Sequence, residues 1–460
     1  MPNNSDNLIR VLETNTHGAN VQVTDTHDAF SAIGFAVPNI LLPDKSVNLS
    51  QWSVIACDQY TSQPSYWQDV SAYIDNAPST YHLILPEVYL HSQFEERITR
   101  INKKMSEYLN SGILSPHKNG LILTERTLVD GSIRYGLMIA VDLEQYDYEQ
   151  GSKSLIRATE ATIIDRLPPR LAIRKNAPLE LPHTMVLIDD PKHQVFTPLI
   201  DACQQGRFQE LYNFDLMMNG GHLNGYHITE NKDLLQIASA LKSLLLSDNS
   251  PNPLLCAIGD GNHSLAAAKS HWNQLKSSLS DAERKNHPAR FSLVELVNLH
   301  SDALNFEPIH RALFHTDASY VLQQISKYFQ SKSCKIIDTI PPADASKNSR
   351  AFTFPFAAGK SRGTIVVENP SAVLPVAELQ NFLDKLCAEN TNIRIDYIHG
   401  DDELLRLAEE ENCFCFFLPP IDKSVLFKTV IEEGSMPRKA FSMGHADDKR
   451  FYLEARQISL

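Results

Sequence analysis

The sequence predicts a mixed α/β (α+β) protein: a sheet-rich N-terminal part, a central strand–turn–helix suited to phosphate, and a C-terminal α/β region. Three observations carry this. At 460 residues the chain exceeds one ordinary core, so two or three domains are expected. Short apolar runs of strand length alternate with stretches of helical apolar spacing. Between them lies Pro253-Leu-Leu-Cys-Ala-Ile-Gly-Asp-Gly-Asn-His-Ser-Leu-Ala-Ala-Ala-Lys269. It joins a buried-strand pattern (254–258), a tight glycine turn and an alanine-rich helix opening at Ser264.

The first 28 residues are polar with little periodicity and read as a loose, disordered tail. Residues 29–190 are expected to form the sheet-rich domain, 191–312 a central phosphate-loop domain and 313–460 a C-terminal α/β domain. Two apolar segments, 35–43 and 53–57, lead into the polar loop Asp58-Gln-Tyr-Thr-Ser-Gln-Pro64. Loops at strand ends are where α/β proteins place ligand groups, although Asp58 is equally suited to capping the next helix. The run 80–86 reads as a strand. Residues 87–109 read as an amphipathic helix, with Phe94, Ile98, Ile101, Met105 and Leu109 on its core stripe. Segments 120–126 and 133–142 have the look of a hairpin.

Arg157, Arg166, Arg170 and Arg174 then fall within eighteen residues, interleaved with Thr159, Glu160 and Asp165. Guanidinium forks suit phosphate or carboxylate; pairing with the neighbouring acids on a solvated face is the plainer alternative. His183, just before the strand 185–188, reads equally as structural or catalytic. Helical spacing over 197–208 and 234–246 brackets a glycine-containing turn at 219–225. The apolar run 291–299 contains Glu295, a carboxylate that must be paired, protonated or used. A polar cluster with His310 and Arg311 follows it. Beyond 315, helices (320–329, 377–387) alternate with strands (364–367, 393–398, 413–418), and a late loop holds Arg438 and Lys439 together.

Composition narrows the function. The formal net charge of −13 argues against general binding to nucleic acid or acidic membrane, and there is no basic helix with helix-turn-helix spacing. No apolar run approaches the roughly 20 residues that span a bilayer, and the N-terminus lacks the regions of a signal peptide. The seven cysteines are scattered, as expected of reduced thiols rather than a disulfide framework or zinc site. The expectation is a cytoplasmic protein whose partner is a small molecule or nucleotide, with no nucleic acid and no membrane; the oligomeric state stays open.

Gly259-Asp-Gly-Asn-His-Ser264 is neither a Walker A loop nor a dinucleotide fingerprint. A strand–turn–helix junction nevertheless aims backbone N–H groups and the positive end of the helix dipole at whatever lies over the turn, and an anion is the natural occupant. Asp260 can hold a divalent cation, Asn262 and Ser264 can donate to phosphate oxygens, and His263 can donate or accept a proton. The alternative is that Asn262 or His263 caps the helix and Asp260 steadies the turn.

This stretch resembles the Asp-Gly-His-His-Arg-x-x-x-Ala signature of the domain of unknown function 1015 family. Val54-Ile-Ala-Cys-Asp-Gln-Tyr-Thr-Ser-Gln-Pro64, Leu83-Ile-Leu-Pro-Glu-Val-Tyr-Leu90, Ile156-Arg-Ala-Thr-Glu160, Glu180-Leu-Pro-His183, Pro308-Ile-His-Arg311 and Met436-Pro-Arg-Lys439 resemble that family too. The signature is similar to the phosphate-contacting loop of the ParB and sulfiredoxin superfamily, which includes free-serine kinases. The resemblance implies a phosphate grip by Gly259, Gly261, Asn262, His263 and Ser264, and nucleotide chemistry with ATP or ADP and Mg²⁺ held at Asp260. Further contacts are expected from Arg157, His310, Arg311, Arg438 and Lys439, and catalytic roles from Asp260, His263, Glu160 and Asp58. Ser264 stands where the family's arginine is usual, so another cation must complete the grip, with Arg157, Arg311 and Arg438 as candidates. The function expected is a small-molecule phosphotransferase or phosphohydrolase; the alternative is a non-catalytic nucleotide or metabolite sensor.

Overall fold

The structure, a computed structural model, describes residues 25–61, 63–90, 92–117, 119–160, 162, 167–247, 251–330, 334–337, 351–437 and 439–460. The fold is mixed α+β, with two compact units, one of residues up to 305 together with 444–460, the other of 306–443.

In the first unit ten strands form one sheet: β1 (Phe35–Ala36), β2 (Leu121–Thr127), β3 (Ile133–Asp142), β4 (Tyr146–Asp147), β5 (Ile156–Ala158), β6 (Met185–Ile188), β7 (Gln209–Asp215), β8 (His222–Ile228), β9 (Cys256–Asp260) and β10 (Phe291–Asn298). Their order is β7-β8-β2-β3-β10-β6-β9-β5-β4, with β1 against β3. Segments expected in separate domains, 29–190 and 191–312, thus interleave in one sheet. The central strands read as continuous apolar runs because both faces are covered. Alternation shares them between two cores: Leu137, Ile139 and Val141 of β3 join one, Met138 the other.

Strand direction gathers the site. β6 runs antiparallel to β9, and β9 parallel to β5. The end of β9, the end of β5 and the start of β6 therefore share one sheet edge. Met185 pairs with Asp260 but Val186 pairs with Ile258, leaving Gly259 as the extra, unpaired residue of a bulge just before Asp260. The helices used below are α1 (Thr26–Ser31), α2 (Phe94–Asn110), α3 (Leu167–Lys175), α4 (Asn231–Ser247) and α5 (Asn262–Lys276). The tail returns to this unit through a short antiparallel ladder, Phe451–Tyr452 against Val54–Ile55, which brings 447–452 beside Asp58.

Several local expectations change. Residues 1–24 of the expected tail lie outside the described residues, but α1 already begins at Thr26, where the Asp25 carboxylate caps its first turn. The expected strand 80–86 opens as a 3₁₀ turn, Thr80–Leu83, because the Ser79 and Thr80 hydroxyls donate to the Trp52 carbonyl and hold the backbone curled. The expected helix from 87 becomes a short 3₁₀ turn followed by α2 from Phe94. The glycines at 220–221 close a β7–β8 hairpin in a stretch expected to be more helical.

The second unit is built on a seven-stranded sheet of β11 (Phe306–Phe314), β12 (Lys335–Ile337), β13 (Ala351–Ala358), β14 (Ser361–Glu368), β15 (Arg394–His399), β16 (Cys413–Phe416) and β17 (Phe441–Met443). The Cys-Phe-Cys-Phe strand β16 is buried throughout, as its composition predicts. Among the described residues no helix is long and apolar enough to cross a membrane.

Candidate functional site

The site grows from the β9–α5 junction. Gly261 is the N-cap of α5 in the left-handed region, φ 78°. A Cβ there would stand 2.8 Å from Thr184 Oγ1 and 2.9 Å from Thr184 Cα, so the residue just before β6 leaves room only for glycine. Having no side chain, Gly261 gives the first turn of α5 no side-chain cap, and the dipole of a fifteen-residue helix opens on this point. Asp260 Oδ1 accepts from the Gly261 amide at 3.0 Å, and its Oδ2 lies 3.5 Å from Lys449 Nζ, an amine whose side chain is only 8% exposed. Asn262 Nδ2 reaches Thr159 Oγ1 at 3.4 Å, while Asn262 Oδ1 is buried without a hydrogen-bond partner. His263 sits half-buried in the same turn.

Ser264 Oγ lies 3.1 Å from His183 Nε2, and the other ring nitrogen, Nδ1, lies 2.7 Å from the Tyr452 hydroxyl. That hydroxyl also donates to Cys57 Sγ at 3.2 Å and receives the Cys57 amide at 3.3 Å. Asp58 Oδ2 stands 3.9 Å from His183 Nε2. Burial raises the Asp58 carboxyl, but His183, Gln59, Lys449 and Arg170 outweigh it and hold the group below the usual aspartate range. Asp58 is thus an ionised carboxylate at neutral pH. Burial pushes the Cys57 thiol up to about 12, so it is no thiolate nucleophile; burial likewise keeps the Tyr452 phenol protonated.

Behind His183 and Ser264 opens a cavity of about 140 Å³. Leu83, Leu85, Met105, Leu179, Leu181 and Leu293 make its wall apolar, and Arg170 and Glu87, an ion pair, stand among its polar lining.

The structure brings together Asp58, Asp260, His263 and Ser264, with Glu160 two residues past the end of β5, next to Thr159, the residue Asn262 touches. Arg157 is turned away. Its guanidinium donates to the carbonyls of Ser154, Asn252 and Pro253, which precede β9, whereas the turn follows it. His310, Arg311 and Lys439 belong to the second unit. There His310 lies 2.8 Å from Asp401, and Arg311 is fully buried on Gln380 and backbone carbonyls, including that of Lys439. Arg438 lies outside the described residues. The cation beside Asp260 is Lys449, which sequence reasoning missed because a strand from the far end of the chain delivers it.

Residues 40–386 match the family described as "Protein of unknown function (DUF1015)". The chain belongs to this family. The DUF1015 match contains the turn, Asp58 and His183 but ends before the segment that supplies Lys449 and Tyr452. No curated protein matches the sequence. Among solved structures, a free serine kinase mutant in complex with AMP aligns at 10% identity and TM-score 0.38, covering 69% of this chain and 90% of its own. A conserved hypothetical protein from Pyrococcus furiosus aligns at 8% identity and TM-score 0.36, covering 70% and 95%. SbnI with C-terminal truncation from Staphylococcus aureus aligns at 9% identity and TM-score 0.33, covering 64% and 82%.

The Mg²⁺ expected at Asp260 meets a poor donor set. One carboxylate oxygen is held by the Gly261 amide and the other faces Lys449, and among the described residues no group of three or more His, Cys, Asp or Glu is arranged for a metal ion.

Proposed function

We propose that the first unit grips a phosphate group of a nucleotide at the 259–264 turn and transfers it to a hydroxyl of a small molecule lodged in the adjoining cavity. The observation that carries this reading is the meeting, at one sheet edge, of an uncapped helix N-terminus, a nearly buried lysine and a histidine bridged to Asp58 and Ser264. Phosphoryl transfer asks chiefly for positioning and charge neutralisation, and these are the parts present. The amides of the first α5 turn and Lys449 hold phosphate oxygens; Asn262 and Ser264 add side-chain donors.

His183 is the base in this reading. With its proton on Nδ1, donated to Tyr452, whose own hydroxyl proton points to Cys57, Nε2 is an unprotonated acceptor, met by the Ser264 hydroxyl until the hydroxyl of the small molecule takes that place. It takes the proton of the acceptor hydroxyl as that oxygen bonds to phosphorus and the bond to the nucleoside diphosphate breaks; the ionised Asp58 stabilises the imidazolium formed. Tyr452 is a positioning residue that selects the tautomer. The apolar cavity wall favours an acceptor with a small hydrocarbon body.

Isothermal titration with ATP, ADP, CTP and GTP, each with Mg²⁺, tests the grip. A micromolar complex weakened about tenfold or more by Lys449→Ala is expected, since a charge-assisted contact contributes on the order of 1.5–3 kcal/mol. No binding tighter than millimolar with any of the four overturns the reading. Tight binding without turnover in the presence of candidate hydroxyl compounds favours the sensor alternative.

A further inference from the structure

Arg126 on β2 and Arg134 on β3 stand opposite each other in direct register, and each is only 3% exposed. Each guanidinium meets a backbone oxygen of the tail: Arg126 Nη2 donates to the Asp447 carbonyl at 3.1 Å, Arg134 Nη1 to the Asp448 carbonyl at 2.7 Å. Arg126 Nε and Nη1 and Arg134 Nε are buried with no hydrogen-bond partner.

The neighbouring carboxylates are committed elsewhere. Glu295 receives the Thr124 hydroxyl on Oε1 and Arg450 on Oε2. Glu454 receives Tyr212 and Arg450. The Asp447 carboxylate takes the Tyr60 hydroxyl, and that of Asp448 takes the His445 amide. Two desolvated like charges face each other across a ladder, a repulsion that the nearby charges of Glu295 and Asp448 offset without supplying the orphaned N–H groups with acceptors. Burial, then Arg134, lower Arg126 to about 9, which leaves it charged at neutral pH.

This pair adjoins the turn. Asp448, whose carbonyl meets Arg134, is followed by Lys449, whose amine faces Asp260; adjacent Cα atoms are about 3.8 Å apart. Arg134 also feels the charge of Asp260. Orphaned guanidinium N–H groups beside a phosphate-type turn are donors awaiting oxygens, and forked donors match phosphoryl oxygens.

We propose that Arg126 and Arg134 bind a second phosphoryl group next to the one on the 259–264 turn, so that the ligand carries a diphosphate or longer chain. The Asp447 and Asp448 carbonyls hold the guanidinium edges until ligand oxygens replace them. The inference rests on the turn being a phosphate site, and it names the arginines that stand in for the one missing at Ser264.

Titration of the full chain with inorganic phosphate and with pyrophosphate separates the two ideas. Pyrophosphate is expected to bind at least about tenfold more tightly than phosphate. Arg134→Lys and Arg126→Lys keep the charge and remove the fork, and either is expected to erase most of that advantage while leaving phosphate affinity within about twofold. Equal affinity of the wild type for the two anions overturns the inference and leaves the turn reading standing. So does a pyrophosphate preference that survives both substitutions. If Lys449→Ala leaves both phosphate and pyrophosphate affinity unchanged, the turn reading falls, and the inference that rests on it falls with it.

Discussion

Arg311, in the second unit, is completely buried and fully served. Nε donates to Gln380, Nη1 to the carbonyl of Ile309 and Nη2 to that of Lys439, while the Tyr397 ring lies 4.5 Å from the guanidinium carbon. Arg126, in the first unit, is nearly as buried, touches Phe451 in the same way, and keeps two guanidinium nitrogens without a partner. Burial is the same; satisfaction is not. An arginine whose donors all end on fixed acceptors is a structural clamp, whereas one with orphaned donors in a dry site carries a cost that a folded protein keeps when a ligand relieves it. By that test Arg311, a candidate for the phosphate grip from sequence, is a clamp, and Arg126 and Arg134 are the binding candidates.

The largest effect that sharpens this contrast lies at Glu295, the acid on which the satisfied Arg450 depends. Glu295→Gln removes one partner of a buried pair and is expected to lower stability by about 3–5 kcal/mol in urea unfolding. Burial raises the Glu295 carboxyl, but Arg450 and Arg134 win and hold it below the usual range. Its folded pKa is therefore below its unfolded one, so its stabilisation is complete above the unfolded value near 4.5 and drains away as pH falls through the folded value. A variant that matches wild type at pH 7 would remove Glu295 as the keystone of the cluster.

Arg311→Met and Arg126→Met are expected to differ in size. The first strands the Gln380 side chain and two carbonyls, a loss of about 2–4 kcal/mol in the second unit. The second removes a guanidinium with two orphaned nitrogens while keeping its hydrocarbon bulk, and is expected to change stability by less than about 1 kcal/mol, in either direction. Comparable losses in the two would erase the distinction. Anion binding reverses the ranking: Arg311→Met leaves pyrophosphate affinity unchanged, and Arg126→Met weakens it.

How much of this was legible in the sequence follows from whether a signal is local. The buried run ahead of the 259–264 turn and the alanines after it announced strand, turn and helix, and Gly261 proved to be required by Thr184. Glu295 announced its pairing, because a charge inside an apolar run has few other fates. The strand β7 did not announce itself, since its burial pattern is mostly exposed and intermediate and its pairing with β8 and β2 supplies the order. Arg157 looked right because it is close in sequence to other arginines, but in the parallel β5–β9 pairing its guanidinium donates to the carbonyls of Asn252 and Pro253 ahead of β9. Lys449, Arg126 and Arg134 were out of reach for the opposite reason. Lys449 reaches Asp260 through a tail strand paired with 54–55, and the two arginines reach that same tail through a cross-strand register, which no short window contains.

The smallest directional effect concerns a titratable group under the same crowding. His271 on α5 has a buried, unpartnered Nδ1. Burial first, then the charges of Arg174 and His287, push its pKa down to about 4, against an opposing pull from Glu180. An arginine in this position must stay charged, but a histidine sheds its proton. The folded protein then holds His271 neutral between pH 6.5 and 4 while the unfolded chain takes up a proton there. Stability therefore falls with acidification across that window and is intact above it, by about 1 kcal/mol once the ring's partial exposure is allowed for. His271→Gln should flatten the urea-midpoint profile between pH 6.5 and 4 and leave the steeper loss below 4.5, which belongs to Glu295. A variant profile parallel to wild type throughout the window would mean that His271 has found a partner in solution, and that an orphaned buried nitrogen is a weaker sign of strain than Arg126 and Arg134 require.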